Sequence, residues 1–430
     1  MKKSFILWMF AMLMLAIGMS SCSKSDSDDD TNEEPVNEEE VTGEEPLSNE
    51  DNEFTPIDLT RAEQELVTSN NDFAFNLFRD LKPEKSTILS PISITYALGM
   101  LNNGAAGETQ AQINMVLGFG KTGADGINAF CQKMLTEAPK LDKLTKVMIA
   151  NTIYVNQDYQ LKPDFVTKAK NYYDAEPETR NFADGKTMDV INQWASDHTE
   201  KMIDKVLDKD EFDPTAVSYL LNAIYFKGAW AEKFDKSNTK EEIFRNETYQ
   251  KQIPMMHQEH EFNYMEDEDC QALCLPYGNN AYRMTILLPK EGRTVYSLAQ
   301  KLTTKTWQRY QSMGTAIVDV KLPRFESKTD VDLKPVMSAL GMPNAFDDHL
   351  AEFPYFCNVA TYIGLMKQVA RIKLNEEGTE AAAVTVIGMY EKAMPQEPKH
   401  VNFHATRPFL YVISEQSTGA IFFIGQYMGD

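Results

Sequence analysis

The apolar positions of this chain change their period along its length. Phe73, Ala74, Leu77, Phe78 and Leu81 recur at helical spacing and share one face. Ser90-Pro91 reads as the start of a second helix, with serine as N-cap and proline in the first turn, and that stretch closes near Gly104. Val331 to Leu340 reads as a third, stopped by Gly341 and Pro343. Strand patterns alternate with these. Val318, Val320 and Leu322 face one way while Asp319 and Lys321 face the other; Tyr219–Phe226 and Met284–Leu288 are dense apolar runs suited to central strands. Phe409–Ile413 and Ala420–Ile424 flank a Ser417-Thr418-Gly419 turn, which predicts a hairpin. Helices gather early and strands late, so the expectation is a mixed α+β fold without internal repeats.

Charge changes the picture at one end. The 430 residues carry a net charge of −22, and fourteen Asp/Glu against the single Lys24 fall between Ser23 and Glu53. That stretch also holds Pro35 and Pro46 and almost no apolar side chains. It cannot bury enough surface to offset its ordering entropy, so residues 22–53 read as a disordered acidic tether. Residues 54–430 read as the globular part, with no further linker, and lack the basic surface a nucleic-acid binder needs.

Ahead of the tether, Lys2 and Lys3 precede an apolar run from Phe5 to Met19, and Ser20-Ser21 precede Cys22. Residues 1–21 therefore read as an export signal. The run is short for a spanning helix, which needs about twenty residues. Met19-Ser-Ser-Cys22 resembles the lipobox of bacterial lipoproteins, which implies that Cys22 becomes a lipidated N-terminus; an uncleaved signal anchor is the competing reading. The acidic run after Cys22 resembles the surface-export signal of lipoproteins in the Bacteroidota, which implies a lipid anchor in the outer membrane and display on the cell surface, with a periplasm-facing anchor left open.

A search for catalytic chemistry returns little. There is no Gly-x-Ser-x-Gly elbow, phosphate loop or dinucleotide fingerprint. His257 and His260 are spaced His-x-x-His, but zinc proteases carry His-Glu-x-x-His on a helix, and this stretch is not strongly helical. Cys270 and Cys274 lack a second pair and a nearby histidine; with Cys131 and Cys357 they read as buried thiols. Neither an enzyme nor a metal or other cofactor is expected.

The most unusual stretch runs from Glu376 to Lys399. Its first half is small and lightly apolar, and its second half is polar and punctuated by proline. Thr379, Ala381, Ala383, Thr385, Ile387 and Met389 alternate as one face of a strand would, and are small or β-competent enough to slide between two existing strands. A long structureless connection with that pattern is more than a spacer.

Glu376-Glu-Gly-Thr-Glu-Ala-Ala-Ala-Val-Thr385 closely resembles the hinge of the serpins, the start of their reactive-centre loop. The resemblance covers about residues 57–430 in family order. Leu89-Ser-Pro-Ile-Ser-Ile94, Ala97-Leu-Gly-Met-Leu101, Gly104-Ala-Ala-Gly107, Ala150-Asn-Thr-Ile-Tyr-Val155, Ile191-Asn-Gln-Trp194, Leu221-Asn-Ala-Ile-Tyr-Phe-Lys-Gly-Ala-Trp230, Leu275-Pro-Tyr277, Leu322-Pro-Arg-Phe325, Leu340-Gly-Met342 and Arg407-Pro-Phe409 are each similar to family signatures. Any one is weak, and their shared register is strong.

The resemblance implies eight or nine helices around three β-sheets, an exposed loop at about 376–400, and a monomer that traps a serine protease in a covalent one-to-one complex. It implies a hinge of Glu376, Glu377, Gly378, Thr379, Glu380, Ala381, Ala382, Ala383, Val384 and Thr385, and family spacing puts the reactive bond at Lys392–Ala393. Lysine there implies a trypsin-like target. The return to Pro408 is longer than in many serpins, which leaves cleavage at Glu391, Ala393 or Met394 open, and Tyr390 and Met389 are baits for other protease classes. At the top of the sheet Glu376 is expected to pair with Arg324 near Trp230. Ser90, Ser93 and Asn222 match the shutter that keeps the central strands closed, where Gln368 replaces the family's frequent histidine.

Overall fold

Thr60 opens the first helix by accepting a hydrogen bond from the Glu63 N–H while the Glu63 carboxylate accepts from the Thr60 N–H, a reciprocal cap. This computed structural model describes residues 52–379 and 399–430. The signal, Cys22, most of the tether, Glu380–Thr385, Lys392 and Ala393 lie outside them.

The N-terminal half is largely helical: α1 (Arg61–Leu81), β1 (Thr87–Leu89), α2 (Pro91–Asn102), α3 (Gly107–Val116), α4 (Gly123–Glu137), β2 (Thr145–Asn156), α5 (Pro163–Tyr173), β3 (Glu176–Arg180), α6 (Lys186–Asp197) and β4 (Ser218–Ala229). Strands then follow one another as β5 (Lys240–Arg245), β6 (Gln250–Glu266), β7 (Cys270–Tyr277) and β8 (Tyr282–Pro289). After α7 (Val295–Ala299) and α8 (Thr304–Gln311) come β9 (Gly314–Pro323), β10 (Phe325–Asp332), α9 (Lys334–Leu340) and β11 (Lys367–Asn375). The chain ends with β12 (Gly378–Thr379), β13 (His400–His404), β14 (Phe409–Glu415) and β15 (Ile421–Tyr427).

Two hydrogen-bonded sheets result among the described residues. One has the order β10-β11-β12-β4-β2-β3; the other is β1-β15-β14-β8-β7-β6-β9-β13, with β5 added on β6. The long β6 explains why three expected sheets resolve as two. Its first part pairs with β5 and β9, its last residues also pair with β7, and the two layers stay continuous. Helix α2 is buried almost throughout and packs against both β4 and β15, between the sheets. Ser90 caps it and Pro91 starts it, as the sequence pattern predicts.

The third helix begins later than its pattern suggests. Val331 and Asp332 belong to β10, opposite Gln368 and Lys367, and the helix starts at Lys334 with Pro335 in its first turn. All four described cysteines are buried free thiols. His257 and His260 lie on β6; the first bonds Asp319 at 2.7 Å and the second pairs with Glu232 at 3.7 Å. Three residues apart on a strand, they point to opposite faces and share no ligand.

Candidate functional site

Strands β4 and β11 run side by side in the six-stranded sheet, and among the described residues Gly378 and Thr379 stand between them. Gly378 lies opposite Asn375 and Ala229; Thr379 lies opposite Leu374 and Gly228. Beyond Thr379 no ladder joins β4 to β11 among the described residues. A cavity of about 550 Å³ lies there, lined by Ser93, Asn222 and Ala223 on one side and Gln368 and Ala370 on the other. Facing edges without a strand partner among the described residues are a template for an added strand.

The entrance is built from close contacts. Gly378 has φ of +147°, and a Cβ there would sit 2.1 Å from the Gly228 carbonyl oxygen, so only glycine fits. Thr379 is 2% exposed, and its Oγ1 shares a 2.7 Å hydrogen bond with the Tyr277 hydroxyl. The Tyr277 ring stacks on Trp230 with centroids 4.4 Å apart. Trp230 in turn grips the chain on either side of Glu376: its Nε1 donates to Asn375 O at 3.0 Å and its backbone N–H to Glu377 O at 2.8 Å.

The two hinge glutamates are held separately. Arg324 Nη2 is 3.0 Å from Glu376 Oε1, and Thr239 Oγ1 donates to the same oxygen at 2.6 Å. The Glu376 side chain is 3% exposed, and its backbone oxygen accepts from Phe234 N–H at 3.0 Å. Glu377 lies 3.0 Å from Lys236 Nζ and 3.1 Å from Lys233 Nζ. Hydrogen bonds from Lys236 and then Lys233 hold its carboxyl below the usual carboxylate range.

Lower in the slot, polar side chains tie α2 to both flanking strands. Ser90 N–H donates to Gln368 Oε1 and Gln368 Nε2 donates back to Ser90 O, each at 2.9 Å. Ser93 Oγ donates to Asn222 Oδ1, and Asn222 Nδ2 donates to Asn151 Oδ1 at 2.8 Å. Ser90 and Ser93 thus meet β11 through Gln368 and β4 through Asn222. Every described residue expected at the sheet top and in the shutter is brought into these two clusters.

Comparison with known proteins fits this geometry. A family profile described as "Serpin (serine protease inhibitor)" matches residues 68–429. The chain belongs to the serpin family. It is 33% identical over 373 residues to Serpin B6 of Pongo abelii, an alignment covering 84% of this chain and 98% of that protein. Among solved structures it is similar to the thermophilic serpin tengpin in the native state, with a TM-score of 0.77 at 28% identity, covering 88% of this chain and 97% of that one. It also resembles thyroxine-binding globulin in complex with thyroxine, with a TM-score of 0.74 at 27% identity over 84% of this chain and 98% of that one.

Several contributors to this serpin site escape a reading of the sequence. Tyr277 stands in a recognised signature, but nothing in Leu275-Pro-Tyr277 says that its hydroxyl meets Thr379. Asn151 likewise stands in a signature that does not say it meets Asn222, and Thr239 carries no local signal. Lys233 and Lys236, closely following Trp230, offered the one readable hint, a pair of cations available to Glu377.

Proposed function

We propose that this serpin is a single-use protease inhibitor, and that the stretch from Gly378 onward is the strand its main sheet accepts. The observation that carries the reading is Thr379, seated between β4 and β11 at the head of a slot with no other described strand in it. Small residues continue the sequence from there, so nothing charged on the core-facing side blocks entry. Register makes the expectation specific. Continued antiparallel from Thr379, whose partners are Gly228 and Leu374, it sets Thr385 opposite Asn222 and Gln368. A hydroxyl thus arrives at the amide pair of the shutter.

In this mechanism the target's nucleophile attacks the carbonyl carbon of Lys392. An acyl-enzyme ester or thioester forms, the Lys392–Ala393 peptide bond breaks, and the Ala393 amine leaves with a proton. The freed hinge then enters the sheet, adding ladder hydrogen bonds on both sides. At about 3.3 Å per residue, some sixteen residues carry the attached protease roughly 50 Å. Dragging it across the body distorts its oxyanion hole and triad before water can deacylate it, and small displacements there cost orders of magnitude in rate. Lysine before the bond favours a trypsin-like target.

A lipid on Cys22 and the acidic tether would hold this trap at the bacterial outer membrane, facing outward. A non-inhibitory binding role is the second reading, favoured by the likeness to a thyroxine-binding protein. The small-residue hinge favours the first.

Incubation with trypsin, denaturing electrophoresis and mass spectrometry of the released C-terminal peptide test the proposal together. A covalent band of summed mass and a peptide beginning at Ala393 are expected. Cleavage to completion without that band would leave the binding role standing.

A further inference from the structure

Strand β8 carries a polar patch on a face that is otherwise mostly apolar. Tyr282 packs edge-to-face on Phe226 of β4 with centroids 5.6 Å apart, so the even-numbered side chains of β8 point toward the six-stranded sheet. Arg283, Thr285 and Leu287 point the other way, toward the helices. Cys270, opposite Pro289, shares that face; its sulfur lies 3.4 Å from the Tyr310 hydroxyl of α8, and α7 packs on β8 and β14. Arg283 is directly opposite Ser414 of β14, and Thr285 is directly opposite Cys274 of β7. Opposed side chains share a face with Cβ atoms about 5 Å apart, so the Arg283 guanidinium and the Thr285 and Ser414 hydroxyls stand together.

The patch is buried and under-bonded. Arg283 is 3% exposed, and Thr285 and Ser414 are fully buried. Arg283 Nε, Thr285 Oγ1 and Ser414 Oγ each lack a hydrogen-bond partner among the described residues. No carboxylate among those residues pairs with the guanidinium. Glu415 follows Ser414 but is opposite Tyr282 and so faces away, and its carboxylate accepts from the N–H and hydroxyl groups of Ser417 and Thr418. Cys274 feels the charge: burial pushes its thiol up, and Arg283 pulls it part of the way back. A guanidinium offers five donors and no acceptor and keeps its proton in any protein, so its charge has to be met where it lies. A buried ion without a counter-charge is strongly destabilising.

We propose that Arg283, Thr285 and Ser414 form an internal site for a small monovalent anion, of chloride size, that clasps β8 to β14. The ligand class follows from the donors. The guanidinium N–H groups and both hydroxyls can donate at once to a single anion. A water molecule would serve the hydroxyls but leave the positive charge uncompensated. A divalent oxyanion would bring a second negative charge close to the buried Glu415, with one guanidinium to meet both. Arg283 and Ser414 belong to different strands, so the bound anion ties them where two under-bonded polar groups would otherwise lie side by side. An anion held by the folded chain alone raises its stability by mass action.

Chloride is the probe, exchanged against the bulkier gluconate at constant ionic strength while thermal unfolding of the full chain is followed at one heating rate. The midpoint is expected to rise by about 2–5 °C in saturating chloride. Arg283→Met keeps the length of the side chain without its charge, and the chloride effect should vanish. Arg309→Met alters a half-exposed arginine that pairs with Asp267, and should keep the effect. Should Arg283→Met fail to fold, Thr285→Val and Ser414→Ala supply the test. Each removes one donor and retains the charge, and should raise the chloride concentration at half effect by about tenfold, the scale of one hydrogen bond to a charged group. Bromide soaked into crystals should give an anomalous peak against these three residues. A wild-type midpoint indifferent to chloride, an undiminished shift in Arg283→Met, an unchanged half-effect concentration in both hydroxyl variants, or no bromide peak there overturns the site. The inhibitor reading is untouched by any of these results.

Discussion

The hydroxyls of Thr379 and Tyr277 lie 2.7 Å apart in a site closed to solvent. The contact makes the first core-facing position of the hinge polar in a particular way: it accepts a small hydroxyl and nothing larger. Thr379→Arg places a charge where no partner waits, at a cost of several kcal/mol. The variant is expected to be cut by trypsin as a substrate without forming a covalent complex on denaturing gels; persistent trapping would falsify the hinge assignment. Tyr277→Phe removes only the hydrogen bond and leaves the Thr379 hydroxyl unpaired. Amide exchange at residues 375–379 should then quicken by about tenfold, equivalent to roughly 1.4 kcal/mol.

Glu376 and Arg324 divide their environments unequally, since the carboxylate is 3% exposed and the guanidinium 48%. The buried partner is the costly one to alter. Glu376→Lys sets a cation against Arg324 and leaves the Thr239 hydroxyl without its acceptor. A loss of several degrees in the melting temperature of the uncleaved protein is expected. Arg324→Ala, which keeps the Thr239 bond, should lose clearly less. Equal losses from the two variants in calorimetry would contradict this division.

Acid should loosen the hinge through Glu377. Lys236 and Lys233 hold its carboxyl below its ordinary value near 4.5, so the ionised form is the one the docked hinge prefers. Its contribution is complete above that ordinary value and is lost as pH falls through the lowered folded one. Exchange protection of residues 375–379 should therefore be level from neutral pH down to about 5 and decline below about 4. In Glu377→Gln this component of the decline should vanish. An identical acid profile in that variant would assign the effect to another group.

Much of this architecture was legible because local pattern and tertiary role agree. Alternation at Val318, Val320 and Leu322 marks a strand with one buried face, and the structure buries those three while leaving Asp319 and Lys321 partly exposed. Ser90 and Pro91 specify a helix start with no help from distant residues. The Val331–Leu340 stretch misled at its start because Val331 satisfies both periods, and pairing of β10 with β11 decided in favour of the strand. At the site, family spacing brought out Glu376, Arg324, Trp230 and the shutter side chains. Tyr277, Thr239 and Asn151 stayed hidden because each acts through one hydroxyl or amide meeting a residue far away in sequence. Such a contact leaves no period and no composition to read.

Gln368 separates this shutter from one able to sense pH. Its amide both donates to and accepts from the Ser90 backbone, an exchange that stays the same at any physiological pH. Gln368→Leu removes both bonds and leaves the Ser90 N–H without its acceptor. That should destabilise the tie between α2 and β11 by about 2 kcal/mol and shorten the active lifetime of the uncleaved protein at elevated temperature. Gln368→His replaces the amide with a group that ionises near pH 6.5. Burial opposes the imidazolium, so the folded protein favours the neutral ring, and its folded pKa falls below the ordinary value. Stability is then fully present above that ordinary value and declines as pH drops below it, because the opened state takes up the proton more readily. The active lifetime of Gln368→His should shorten between pH 7 and 5.5, while the wild type shows no such dependence across that interval. A wild-type lifetime that varied as steeply would mean that a different titrating group, and not this position, governs opening of the sheet.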